Sequence, residues 1–133
     1  MASSDEVAPE TPPLPRYAYR LLTEEEVQVF HTNGVFEGNS LDVRDGFMHL
    51  SPLSQVLPTA ARYFPGRADL SVLVVELLRI PAAVLRQDWV PARGAFFPHV
   101  IGGEHGFAIP ACAVVGVHKL VLGADGAFQP LQL

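Results

Sequence analysis

The first apolar run of the chain, Tyr17 to Leu22, predicts a strand. Thr23-Glu24-Glu25-Glu26 follows with the spacing of a capping box, and Val27 and Phe30 carry one apolar helical face to a stop at Asn33-Gly34. Residues 35–46 hold Gly38, Asn39, Asp42, Asp45 and Gly46 and predict a loop. Phe47 to Leu50 predicts a short strand, with Ser51-Pro52 as a helix cap and first-turn proline. Pro58 limits the next helix to about Thr59–Tyr63. Leu70 to Leu77 is almost wholly apolar and rich in Val, the pattern of a central strand buried on both faces.

A helical turn over Pro81–Leu85 and short strands around Trp89, Phe96–Val100 and Phe107–Ile109 come next. Val114–Leu122 and Ala127–Leu131 flank Gly-Ala-Asp-Gly, a hairpin signal. Strands outnumber helices and do not alternate with them. The predicted class is therefore α+β, a mostly antiparallel sheet with a few short helices.

Residues 1–15 break the pattern. They hold four of the twelve prolines and three acids, and they predict a disordered acidic, Pro-rich tail ahead of one domain over 16–133. The chain of 133 residues carries 9 basic and 14 acidic side chains, a net charge of −5. Without the tail the balance is 9 against 11, close to neutral. No basic cluster exists to follow a polyanion, so extended nucleic acid is excluded as a partner, while a pocket for one nucleotide needs only one or two Arg. No apolar stretch approaches the length that spans a bilayer, and the start has no secretory or transit pattern, which predicts a cytoplasmic protein. Cys112 is the single cysteine and reads as a core residue, with no disulfide or thiolate zinc cluster available.

Two histidines stand in unusual settings. In Phe47-Met48-His49-Leu50, strand periodicity puts Met48 and Leu50 on one face and Phe47 and His49 on the other. If the first pair faces the core, His49 faces a cleft, with Ser51 close by. In Phe96-Phe97-Pro98-His99, proline stiffens the backbone that presents His99, and the two phenylalanines offer apolar walls. Arg93-Gly94 and Gly102-Gly103 flank this segment. Two converging histidines could perform acid–base work, or orient a nucleotide by hydrogen bonds. The same residues also fit a satisfied edge histidine and an aromatic core. His99 and His105 are six apart with no His-x-x-x-His, so no metal site is predicted. His31, at a helix end, and His118, in a strand, read as structural.

Asp45-Gly46-Phe47-Met48-His49-Leu50-Ser51, Gln55-Val56, Thr59-Ala60-x-Arg62-Tyr63-Phe64, Asp69-Leu70 and Phe97-Pro98-His99 resemble, in order and spacing, the family catalogued as domain of unknown function 952. The resemblance runs from about Tyr17 to the C-terminus. It implies a fold like that of ADP-ribosyltransferases, a small bent and split sheet gripping NAD in a cleft. His49 and Ser51 would then hold the ribose, Tyr63 would stack on the base, and His99 with Arg62 or Arg93 would suit a variant similar to RNA 2′-phosphotransferases. The family's acid after the Trp89 position is Val90 here, the Tyr two residues beyond Phe-Pro-His is Ile101, and Gly94-Ala95-Phe96 replaces a stretch that often carries glutamate.

The expected function is accordingly the binding of a small nucleotide-like ligand, NAD, ADP-ribose or a phosphorylated ribose. His49, Ser51, Arg62, Tyr63, Arg93, Phe97 and His99 form the site, and His49 and His99 are the candidates for any catalysis. An ADP-ribosyl or 2′-phosphotransferase enzyme and a structural or interaction protein are the alternatives.

Overall fold

The computed structural model describes residues 8–102 and 107–133; Gly103, Glu104, His105 and the first seven residues of the acidic tail lie outside them. Residues 8–15 of the tail carry no helix or strand.

Strand β1 (Tyr17–Thr23) runs into helix α1 (Glu24–Asn33) through the predicted capping box: Thr23 Oγ1 accepts from Glu26 N and the Glu26 carboxylate accepts from Thr23 N. Gly34 ends the helix at φ 71°, a left-handed position that costs glycine least. The stretch expected as a loop is instead ordered. It contains a short strand β2 (Val35–Phe36) and a six-residue helix α2 (Ser40–Asp45). Asn39 caps α2, accepting from Leu41 N and Asp42 N, and Asp42 answers by accepting from Asn39 N.

Strand β3 (Phe47–His49) follows. Met48 and Leu50 are buried at 0% and 1%, as the period of two requires, and Phe47 and His49 point the other way. Ser51 is not a helix cap. Its backbone exchanges both hydrogen bonds with Tyr19 of β1, at 2.9 and 2.8 Å. The turn at Leu53–Gln55 has Pro52 before it with no side-chain cap. Helix α3 (Val56–Tyr63) begins earlier than expected, with Pro58 as its third residue. The first four N–H groups of a helix have no partner within it, so this proline forfeits no bond.

Strand β4 (Leu70–Glu76) is buried at every position. It lies between β1 and β8 (Val114–Lys119), antiparallel to both. One face of this sheet packs Ala18, Leu22, Leu73 and Val75 against α1, Met48 and Val100. The other packs Tyr19, Leu21, Val72 and Val74 against Val56 and Ala60 of α3.

The second three-stranded sheet has the order β3-β6-β5, with β5 at Leu85–Val90 and β6 at Ala95–Ile101, again antiparallel. β2 pairs with β7 (Ile109–Pro110). The architecture is thus small, mixed α+β and antiparallel. The two larger sheets meet at the Tyr19–Ser51 bridge.

Two further expectations change. Cys112 is exposed, because the short turn Ala111–Ala113 buries Ala113 rather than the thiol. The terminal hairpin is reduced to a single bridge, Leu122 to Phe128, closed by Gly123 N bonding to Ala127 O at 2.7 Å.

Candidate functional site

At the junction of the two sheets lies a cavity of about 430 Å³, within the range of small-molecule pockets. It is walled by β1, the end of α2, β3, α3, the β5–β6 turn and β6. His49, Ser51, Arg62, Tyr63, Arg93, Phe97 and His99 all line it, so the fold brings together every residue named from the sequence.

His49 and His99 are direct cross-strand partners in the β3–β6 pair, with ring centroids 5.5 Å apart. Phe47 stacks on His99 at 4.3 Å and lies tilted against His49 at 4.6 Å. Their settings differ sharply. His49 Nδ1 is 2.8 Å from Asp42 Oδ1, and its Nε2 is 2.9 Å from Asp45 Oδ2. Both ring nitrogens are thus engaged by carboxylates.

Asp42 is wholly buried. It takes a two-pronged contact from Arg20, 2.8 Å at each prong, plus the backbone N–H of His49 at 3.0 Å. Burial pushes its pKa up. The hydrogen bonds from His49 and Arg20, with the charge of Arg20, outweigh that and hold the carboxyl well below the usual range. Asp45, at the cavity mouth, is lowered chiefly by its bond from Arg44.

His99 is only 4% exposed. Its Nδ1 is 2.5 Å from Asp88 Oδ2, and Arg86 Nε holds both Asp88 oxygens at 2.8 and 2.9 Å. Burial is the main influence on His99 and lowers its pKa; the bond and charge of Asp88 oppose the shift without reversing it. Burial works to raise Asp88, and the bonds from His99 and Arg86 bring it below its ordinary value. His99 is therefore neutral near pH 7, with Nδ1–H donating to an ionised Asp88.

The cations divide in the same way. Arg20 and Arg44 face carboxylates. Arg93 Nη2 donates to Gln55 Oε1 and Thr59 Oγ1, at 3.0 and 2.7 Å, and its guanidinium lies 5.1 Å over Phe97. Arg62 lies 5.7 Å over the Tyr63 ring, which is 57% exposed. Among the described residues neither Arg62 nor Arg93 has a carboxylate partner. The cavity wall therefore carries two uncompensated positive charges beside aromatic surface. Among the described residues no group of three or more His, Cys, Asp or Glu is arranged to hold a metal ion, and no helix is long and apolar enough to cross a membrane.

Sequence reasoning missed Asp42, Asp88 and Arg20. Asn39-x-x-Asp42 repeats the three-residue spacing of the first capping box, a signal that was present for α2. Asp88 becomes visible once Pro91-Ala92-Arg93-Gly94 is taken as a hairpin turn. Arg86 then pairs with His99, and Asp88 is its diagonal neighbour on the same face.

Two solved structures of protein CC0527 from Caulobacter crescentus are similar to this chain. The X-ray structure matches at 34% identity and a TM-score of 0.72, over 85% of this chain and 93% of that one. The solution NMR structure matches at 34% identity and a TM-score of 0.70, over 86% and 93%. No curated protein matches the chain. The profile of one family, described as Protein of unknown function (DUF952), matches residues 21–117, well over half the sequence, and the chain belongs to that family.

Proposed function

We propose that the cavity binds a small nucleotide-like ligand, of the type of NAD, ADP-ribose or a phosphorylated ribose. The observation that carries this reading is the pair Arg62 and Arg93, two guanidiniums free of carboxylate partners among the described residues, in one cavity with exposed Tyr63. Guanidinium suits phosphate oxygens because its planar fork meets two of them at once. Tyr63 offers a face on which a base stacks. The cleft at the junction of two sheets, with His49 and Ser51 on one wall, supports an ADP-ribosyltransferase-like arrangement of the fold. A transferase of ADP-ribosyl or RNA 2′-phosphate type is the second reading. It is favoured by the closeness of two histidines of unlike environment, an arrangement that acid–base chemistry uses.

The test is a melting-temperature and calorimetric screen of the full chain against NAD, NADH, ADP-ribose, ADP-ribose 1″,2″-cyclic phosphate and a 2′-phosphorylated oligonucleotide. A ligand held only by the folded state adds about 2.7 kcal/mol of stability at 100 times its dissociation constant. The expected result is a clear shift with at least one of these, abolished by Arg93→Ala. No shift with any of them at millimolar concentration would move the assignment to an interaction protein that keeps the fold without a nucleotide.

A further inference from the structure

We infer that Asp88 and His99 form a fixed hydrogen-bond acceptor that recognises a hydroxyl group of the ligand, an inference that rests on the nucleotide-like reading of the cavity. Arg86 clamps both oxygens of Asp88, Asp88 holds the Nδ1 proton of His99, and Phe47 stacks on the ring, so its orientation is set from three sides. A neutral imidazole with its proton on Nδ1 carries a bare lone pair on Nε2. Among the described residues nothing donates to that atom, and it is not a sealed, unsatisfied one: the only such side-chain atom among them is Gln87 Oε1. His99 lines the cavity, and Nε2, neither bonded nor sealed, is the ring nitrogen left for a ligand there.

Arg62 and Arg93, lining the same cavity, only donate, so they select acceptor-rich groups such as phosphate. His99 demands the reverse, an O–H donor. A phosphorylated sugar carries both within one small molecule. His49 does not duplicate the role, since each of its nitrogens already faces a carboxylate. His99 is thus a specificity-determining residue and Asp88 a positioning residue.

Two measurements test this. First, the ¹⁵N shifts of His99 in the free protein at pH 7.5 should show Nδ1 protonated and Nε2 bare, and Asp88→Asn should populate the reverse tautomer. Second, ADP should bind about 10-fold more tightly than whichever of 2′-deoxy-ADP and 3′-deoxy-ADP lacks the recognised hydroxyl. That ratio should fall toward one in Asp88→Asn and in His99→Phe, with phosphate binding retained. A protonated Nε2 in the wild-type chain overturns this inference alone. Equal binding of ADP and both deoxy forms, with the Nδ1 tautomer confirmed, overturns hydroxyl recognition while leaving the nucleotide reading in place. Failure of ADP and of every ligand in the melting-temperature screen to bind removes both.

Discussion

Asp42→Ala removes the receiver of five hydrogen-bond contacts: two from Arg20, two from His49 and one from the Asn39 backbone. The Arg20 and Asp42 side chains are 9% and 0% exposed, so the substitution strands a buried guanidinium rather than opening a solvated pair. Breaking one side of a buried pair costs about 3–5 kcal/mol. Arg20 keeps its bond to the His49 carbonyl at 2.9 Å and its place over Phe36, which puts the expectation near the lower end, about 3 kcal/mol. For a chain of this size that is roughly 10 °C in melting temperature.

The pH dependence is a second handle on the same residue. Asp42 has a folded pKa below its unfolded value of about 3.9. Its contribution is therefore whole above that value and is lost as pH falls through the folded pKa. Other carboxylates protonate in both proteins, so below about pH 5 the difference between wild type and Asp42→Ala isolates this one. Urea denaturation at pH 7, 5, 4 and 3 should give a gap that narrows below about 4. A loss under about 1 kcal/mol at pH 7, the worth of a surface pair, would refute the reasoning. So would a gap that stays constant throughout the acid range.

Three more expectations follow from local geometry. His99 should titrate below 6.5 in an NMR titration, because burial outweighs the attraction of Asp88 while His49 and Arg86 add to the lowering. Its contribution to stability is present above about 6.5 and lost as pH falls through the folded pKa, and His99→Gln should remove that slope; a pKa above 6.5 would mean that Asp88 dominates. Gly38→Ala should destabilise clearly more than Gly34→Ala in urea denaturation. Both positions have positive φ, +90° and +71°, but a Cβ on Gly38 meets Asp42 Oδ2 and Phe107 Cε1 at 3.0 Å whereas one on Gly34 meets nothing within 4 Å; equal losses would show that α2 yields freely. Pro58→Ala should lower stability by no more than about 1 kcal/mol by the same measurement, through unfolded-chain entropy, and a gain near 3 kcal/mol would mean that Pro58 interrupts a helical bond.

The elements legible in the sequence are those whose signal is local. Thr23 and Glu26 cap α1 from three residues apart, and β4 needs no partner to announce itself, since a Val and Leu run interrupted only by Ser71 fits a strand covered on both faces. Helix α2 was hidden because apolar periodicity did not build it. Its one buried side chain is Asp42, and its order comes from Asn39, Gly46 and the tertiary contact with Arg20. Ser51 misled because Ser-Pro is a good local cap signal, and pairing with Tyr19, far away in sequence, overrides it. In the site, the histidines, arginines and aromatics stand out by type. The carboxylates that decide what each histidine does arrive through sheet register and helix placement, which no short window contains.

That difference governs how the two histidines should be compared. They are one residue type, opposite each other on neighbouring strands, with Phe47 against both rings. The resemblance points to His49 as the ligand contact, yet its Nδ1 is bound to an immovable carboxylate and its Nε2 to a movable one. Asp45 already bonds to Arg44 at 2.9 Å and can keep that bond while turning away, whereas Asp42 cannot leave without stranding Arg20. A ligand reaches His49 only at Nε2, and only by taking the place of Asp45. At His99 it displaces nothing and meets an acceptor. The two rings, 5.5 Å apart between centres, therefore differ in what a ligand must displace to reach them. Asp45→Ala should accordingly strengthen binding of any ligand that contacts His49, and His49→Ala should abolish that gain; calorimetry of ADP-ribose against the two variants and their combination reads both. If Asp45→Ala weakens binding instead, the carboxylate is part of the binding surface and the displacement reading of His49 fails.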